Sequence, residues 1–191
     1  MTEKYEETLA HIIKEQPWLM EALGNVRDLK LPDWYIAAGA IRNTVWNYLH
    51  DYPTNLNQKD IDVIYFDSDN LSPNKDIGIW RNLCLINSKV KWEVINQARV
   101  HLFRPGHSLV RPRVNSSFES MSYWSEIANC VGVRLEDDED ITICTPYGLS
   151  DLFNLIVRPI PEPFRDIELY RKRIRDKKWN EVWPKLKILE C

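Results

Sequence analysis

The chain has 191 residues, 44% of them hydrophobic and 28% charged, the make-up of a globular protein that buries its core without disulfides or a structural metal. A formal charge of −3 excludes a general pull toward nucleic acid or an anionic membrane, so contact with either has to be local. The four cysteines, Cys84, Cys130, Cys144 and Cys191, form no C-x-x-C pair and do not cluster with the four histidines, which argues against a zinc site.

At the N-terminus, Met1 to Gln16 is charged and lacks an apolar signal core, and the longest apolar runs are too short to span a bilayer, so a cytoplasmic protein is expected. Leu9, Ile12, Ile13 and Leu23 recur at helical spacing between Glu3 and Leu23, predicting an amphipathic helix interrupted near Pro17. Trp34 to Ala38 is a short apolar run closed by Gly39, a buried strand entering a tight turn. Ile41 to Tyr48 carries a helical stripe, so the unit reads strand, glycine turn, helix. Asp51 to Lys59 is a polar loop around Pro53.

Asp60 to Phe66 is β-rich, Asp67 to Lys75 has turn composition, Ile77 to Leu85 is helical, and Val90 to Ile95 is a further strand. Arg104 to Asn115 is the longest loop, and Phe118 to Cys130 reads as a helix. Val131 to Leu135 and Ile141 to Thr145 are strands flanking an acidic turn. Leu149 to Leu155 is helical, Pro159 to Pro163 is a rigid break, and Ile167 to Trp179 is a last, basic helix. Strands and helices mix without regular alternation, which favours an α+β fold built on a short mixed sheet flanked by helices. A single domain is expected, with its core over about 25–157 and a basic helical extension over 158–191.

Asp60 and Asp62 stand two apart in a strand and share a face. At about 6.7 Å between Cα atoms they repel by about 2.5 kcal/mol at an effective dielectric near 20. A divalent cation removes that repulsion, and hard oxygen ligands at this spacing suit Mg²⁺ (or Mn²⁺) together with phosphate oxygens. The plainer alternative is two solvated aspartates at a strand start. Upstream, Gly39 lies between a buried strand and a helix whose first N–H groups favour an anion. Arg42 in the first turn adds a forked donor for phosphate.

Tyr35-Ile36-Ala37-Ala38-Gly39-Ala40-Ile41-Arg42-Asn43, followed by Lys59-Asp60-Ile61-Asp62, resembles the active-site signature of the nucleotidyltransferase superfamily, the polymerase-β-like fold. In layout it is similar to that of the tRNA CCA-adding enzymes. Those have a Gly-Gly turn, then Val-Arg-Asp, then Lys-Asp-Ile-Asp on the next strand. Ala38 stands here in place of the first glycine and Asn43 in place of the aspartate. Within the superfamily the chain looks most like a small bacterial nucleotidyltransferase family. That likeness rests on Asp33-Trp34-Tyr35, Gly39 to Trp46, Asp60 to Asp67, Trp92 to His101 and Pro146 to Phe153.

The resemblance implies transfer of a nucleoside monophosphate from a nucleoside triphosphate to a hydroxyl acceptor that the sequence does not identify. It implies catalytic and metal-ligating roles for Asp60, Asp62 and Glu93, the last supplied by a neighbouring strand. Glu93 is alternatively an exposed strand residue paired with Lys91 or Lys89. The nucleotide-binding candidates are Gly39, Ala40, Arg42, Asn43, Asn96 and Arg99. Asn96 and Arg99, with Gln97, equally suit capping a helix start. The tail from Arg165 to Lys187 interleaves basic residues with Tyr170, Trp179 and Trp183. It reads either as an anionic-substrate surface or as a solvated helix with inward aromatics. The second functional class left open is a silent nucleotide-binding or protein-interaction module of the same fold.

Overall fold

The computed structural model describes residues 2–55, 60–102 and 112–189. Two helices open the chain, α1 (Thr2–Lys14) and α2 (Pro17–Arg27), and Pro17 sits at the first position of α2. Proline is tolerated there because the N–H it lacks has no helical partner. The predicted interruption thus falls where the chemistry requires. Leu9, Ile12 and Ile13 of α1 and Leu19, Ala22, Leu23 and Val26 of α2 are buried.

The main sheet has five strands: β1 (Tyr35–Ala37), β2 (Ile61–Tyr65), β3 (Trp92–Asn96), β4 (Gly132–Leu135) and β5 (Ile141–Cys144). Their spatial order is β3-β2-β1-β4-β5. Within this sheet only β2 and β3 are parallel. They are joined through helix α4 (Pro73–Ile86), since a parallel pair needs a crossover. The expected α+β fold with a mixed sheet and flanking helices is the one found.

Alternation along the strands decides which face is covered. Ile61, Val63 and Tyr65 join Ile36 and Val133 in the main core beneath α1, α2, α4 and helix α3 (Gly39–Leu49). The opposite face carries Tyr35, Ala37, Ile64 and Cys144, roofed by Met121 of the short helix α5 (Ser117–Met121). Gly132 lets this roof close, since a Cβ there would lie 3.0 Å from the Tyr35 Cβ and 3.4 Å from the Met121 Sδ. Asp62 belongs to this second face by its period of two. The roof does not extend over it, and a cleft remains.

Two predicted helices are shorter than expected. Phe118 to Cys130 is not one helix: α5 ends at Met121 and only Ile127–Asn129 coil again, as a 3₁₀ turn. Between them the backbone pairs with a distant segment, Ile127 N–H donating to the Arg158 carbonyl at 3.1 Å and Ile160 N–H to that of Ser125 at 3.2 Å. That long-range pairing overrides local helical preference. After helix α6 (Ser150–Phe153) comes α7 (Ile167–Lys177), which stops at Lys178 in a left-handed conformation, before α8 (Trp179–Val182). A small parallel pair, β6 (Ile156–Val157) with β7 (Lys187–Ile188), was not foreseen. Two-residue strands carry no periodicity to read.

The aromatics of the tail pack inward. Tyr170, Trp179 and Trp183 are buried, and Trp46 of α3 meets Trp179 and Trp183 edge-on at 5.8 and 5.2 Å. Trp183 also donates its indole N–H to Asn47 Oδ1 at 2.7 Å. No helix among the described residues is long and apolar enough to cross a membrane.

Candidate active site

Asp62 is centrally placed on the sheet. It is register partner of Ala37 on antiparallel β1 and of Glu93 on parallel β3. Asp60 lies just before β2. Asp60, Asp62 and Glu93 therefore line one cleft of about 290 Å³ together with Gly39, Arg42 and Asn43. Lys59 and the rest of 56–59 lie outside the described residues.

Crowded acidity governs this wall. Burial, then the charges of Asp60 and Glu93, push the Asp62 carboxyl up to about 7, against the pull of Arg42. The exposed Lys91 ammonium is 3.8 Å from Asp60 Oδ2 and 4.0 Å from Glu93 Oε1, a solvent-screened pairing that relieves little. The alternative of Glu93 as a lysine-paired strand residue and its place on the cleft wall are thus both realised. These three side chains are the hard oxygen donors available to a divalent cation. As they stand, no three His, Cys, Asp or Glu side chains among the described residues are grouped closely enough to hold one.

The turn from β1 into α3 forms the adjoining edge. Ala38 has φ 54° and ψ −119°, a region costly for any residue with a Cβ. Its N–H donates to the Val131 carbonyl at 2.9 Å and its carbonyl accepts from Arg42 N–H at 2.9 Å, which hold it there. A Cβ built on Gly39 meets nothing closer than Arg42 Nη2 at 3.9 Å. The protein's own packing does not demand glycine at 39. What a side chain would fill is the cleft.

Arg42 is buried, 6% exposed. Its Nε and Nη2 donate to Asn43 Oδ1 at 3.2 and 2.7 Å, and its Nη1 donates to Asn129 Oδ1 at 2.6 Å. Its guanidinium lies over the rings of Trp179 and Trp46, 4.6 and 4.9 Å from their centroids. Burial lowers its pKa to about 10, so it stays charged at neutral pH. Among the described residues no carboxylate forms an ion pair with it.

The opposite wall comes from the basic, aromatic tail whose sequence left an anionic-substrate surface and a solvated helix both open. Arg173 and Lys177 of α7 line the cleft with Trp179, Val182 and Trp183. Arg173 Nε donates to Glu126 Oε1 at 2.6 Å, where Glu126 is 1% exposed. The available signal was spacing: Arg173 and Lys177 follow buried Tyr170 at intervals of three and four, on one side of the helix. Asn129 was hidden by the assumption of a continuous helix to Cys130.

Two expected nucleotide contacts stand outside the cleft lining. Asn96, at the end of β3, lies about 10 Å beyond Glu93 along the strand, and Arg99 follows in the 3₁₀ turn Gln97–Leu102. Asn96 is fully buried. It donates to the carbonyls of Asp67 and Asn70 at 2.8 and 3.0 Å and accepts from the N–H groups of Asp67 and Ala98, each at 3.0 Å. Arg99 forms an ion pair with Asp76, which also accepts from the Tyr65 hydroxyl at 2.6 Å. The capping alternative fits Asn96, whose side chain starts the 3₁₀ turn Gln97–Leu102. Ala40, the remaining candidate, is fully buried in the core and is not part of the cleft lining.

A protein family described as nucleotidyltransferase matches residues 24–188. The chain belongs to that nucleotidyltransferase family. A solved structure, described as revealing a CCA-adding enzyme head domain by NMR, is 34% identical, with a TM-score of 0.84 over 97% of this chain and 96% of that one. Two tRNA-processing enzyme structures share the fold at 15% and 17% identity, with TM-scores of 0.55 and 0.52. They match over 87% and 100% of this chain, which spans only 42% and 45% of theirs. No functionally curated protein matches the chain. The family match extends through α7 and α8, so this nucleotidyltransferase-family chain carries its Arg173 wall within the matched region.

Proposed function

We propose that the protein is a metal-dependent nucleotidyltransferase, moving a nucleoside monophosphate from a nucleoside triphosphate to a hydroxyl acceptor. The observation that carries this reading is the gathering of Asp60, Asp62 and Glu93 on one wall of the cleft edged by Gly39. The fit to a divalent cation rests on donor chemistry: three carboxylates on one wall, one of them pushed up to about 7 by burial and then by its acidic neighbours, are an arrangement that a cation relieves. Mg²⁺ or Mn²⁺ bound by Asp60, Asp62 and Glu93 would polarise the phosphate and neutralise developing charge.

The chain's own groups do the positioning. The missing Cβ of Gly39 leaves space for a phosphate at the start of α3, and Arg42 with Asn43 lines the cleft behind it. The acceptor oxygen attacks the α-phosphorus in line, the bond from that phosphorus to the bridging oxygen breaks, and pyrophosphate leaves. The hydroxyl proton passes to a cleft carboxylate, for which Glu93, the more exposed of the β-strand pair, is the accessible acceptor.

The test is transfer of label. The protein is incubated with each α-labelled triphosphate, Mg²⁺ or Mn²⁺ and cell extract, beside Asp62→Ala. The expected outcome is labelled product with the native protein and a loss of about 10²-fold or more in the variant. Equal labelling by both would remove this cleft as the site, and nucleotide binding without any transfer would make the chain a silent nucleotide-binding module.

A further inference from the structure

The helix α7 is rich in basic residues, yet most of their charge is spent locally. Arg171 pairs with Glu168 at 3.3 Å, and Lys172 pairs with Asp176 at 2.5 Å. Just beyond the helix, Lys178 pairs with Glu181 at 3.2 Å. Lys177 is different: it lines the cleft and has no carboxylate partner among the described residues. One turn back, Arg173 uses its Nε on buried Glu126, which fixes the guanidinium while its remaining N–H groups stay available to a ligand. Arg42 adds a third, buried cation to the same cleft. Carboxylates line one wall and cations the other.

We infer that Lys177 and Arg173 of α7 form a subsite for the tail phosphates of a nucleoside triphosphate, so that the C-terminal helix selects triphosphates over monophosphates. This rests on the nucleotidyltransferase reading of the cleft. A triphosphate bound across the cleft presents its α-phosphate to the carboxylate wall and its β- and γ-oxygens to the two cations. Arg173 supplies a fixed planar donor, and Lys177 supplies a compact charge on a flexible stem that follows the terminal phosphate. Because Lys177 is exposed, removing it leaves the fold intact, whereas Arg173 is tied to a buried acid.

Isothermal titration of the full chain with ATP, AMP and inorganic tripolyphosphate, each with Mg²⁺, tests this on the native protein, Lys177→Ala, Lys177→Arg and Asp62→Asn. Lys177→Ala is expected to bind ATP and tripolyphosphate about five- to ten-fold more weakly with AMP unchanged, and Lys177→Arg to stay near native. An unchanged ratio of ATP to AMP affinity in Lys177→Ala overturns the subsite. If Asp62→Asn still loses Mg²⁺-dependent ATP binding, the nucleotide reading survives that failure. Tripolyphosphate binding that depends on Lys177, with no ATP binding by the native protein, keeps the subsite and sinks the nucleotide reading. Binding of neither sinks both.

Discussion

Arg42 and Asn43, adjacent in α3, are locked to each other: two guanidinium nitrogens converge on one amide oxygen at 3.2 and 2.7 Å. An asparagine here fixes the arginine without neutralising it, so the positive charge persists in the cleft. Asn43→Ala removes the acceptor from a buried, charged donor and is expected to cost about 1–3 kcal/mol. Asn43→Asp keeps the acceptor and adds opposite charge, and is expected to be at least as stable as native. Urea unfolding of the two variants distinguishes these outcomes. An alanine variant as stable as native would refute the lock.

Asp62 gives the metal-free protein a characteristic pH profile. Its carboxyl is raised from 3.8 to about 7 in the fold, chiefly by burial and then by Asp60 and Glu93. Between those values the folded chain holds a proton that the unfolded chain has released, so stability falls as pH rises through the window. A divalent cation needs the ionised form, so Mg²⁺-dependent stabilisation grows over the same range. Thermal melts at pH 5 and pH 8, with and without Mg²⁺, are expected to show both trends. In Asp62→Asn the contribution of this group to both disappears.

Ala38 holds a positive φ that glycine accepts freely. Ala38→Gly relieves the strain but gives the unfolded chain more freedom, and the net gain is expected to be about 1 kcal/mol. Chemical denaturation measures it. A variant less stable than native would mean that the Ala38 methyl contributes packing greater than the strain.

The strand-turn-helix unit and the paired aspartates were legible because they are local: one apolar run, one glycine, and carboxylates two residues apart. Glu93 was reached through the resemblance, and the parallel register that sets it beside Asp62 belongs to the sheet. For Arg173 and Lys177, in the basic tail, the sequence left two readings open, because their meaning depends on where α7 docks, which Trp179 and Trp183 decide by packing on Trp46. Asn96 and Arg99 show the converse. Lying three and six residues after Glu93 is close in sequence, yet β3 and the 3₁₀ turn that follows it lead away from the cleft.

Asn96 offers a test of that last distinction. Its side chain satisfies four backbone groups, tying the Asp67–Asn70 turn to the end of β3, and it is absent from the cleft lining. Asn96→Ala therefore leaves four backbone groups, one buried and three on the part-buried turn side, without their partner and is expected to destabilise the fold by about 1–3 kcal/mol. Nucleotide affinity, measured at a temperature where the variant is fully folded, is expected to match native within two-fold or so. A large loss of affinity with little loss of stability would return Asn96 to the nucleotide site and would require a ligand that reaches along β3 well past Glu93.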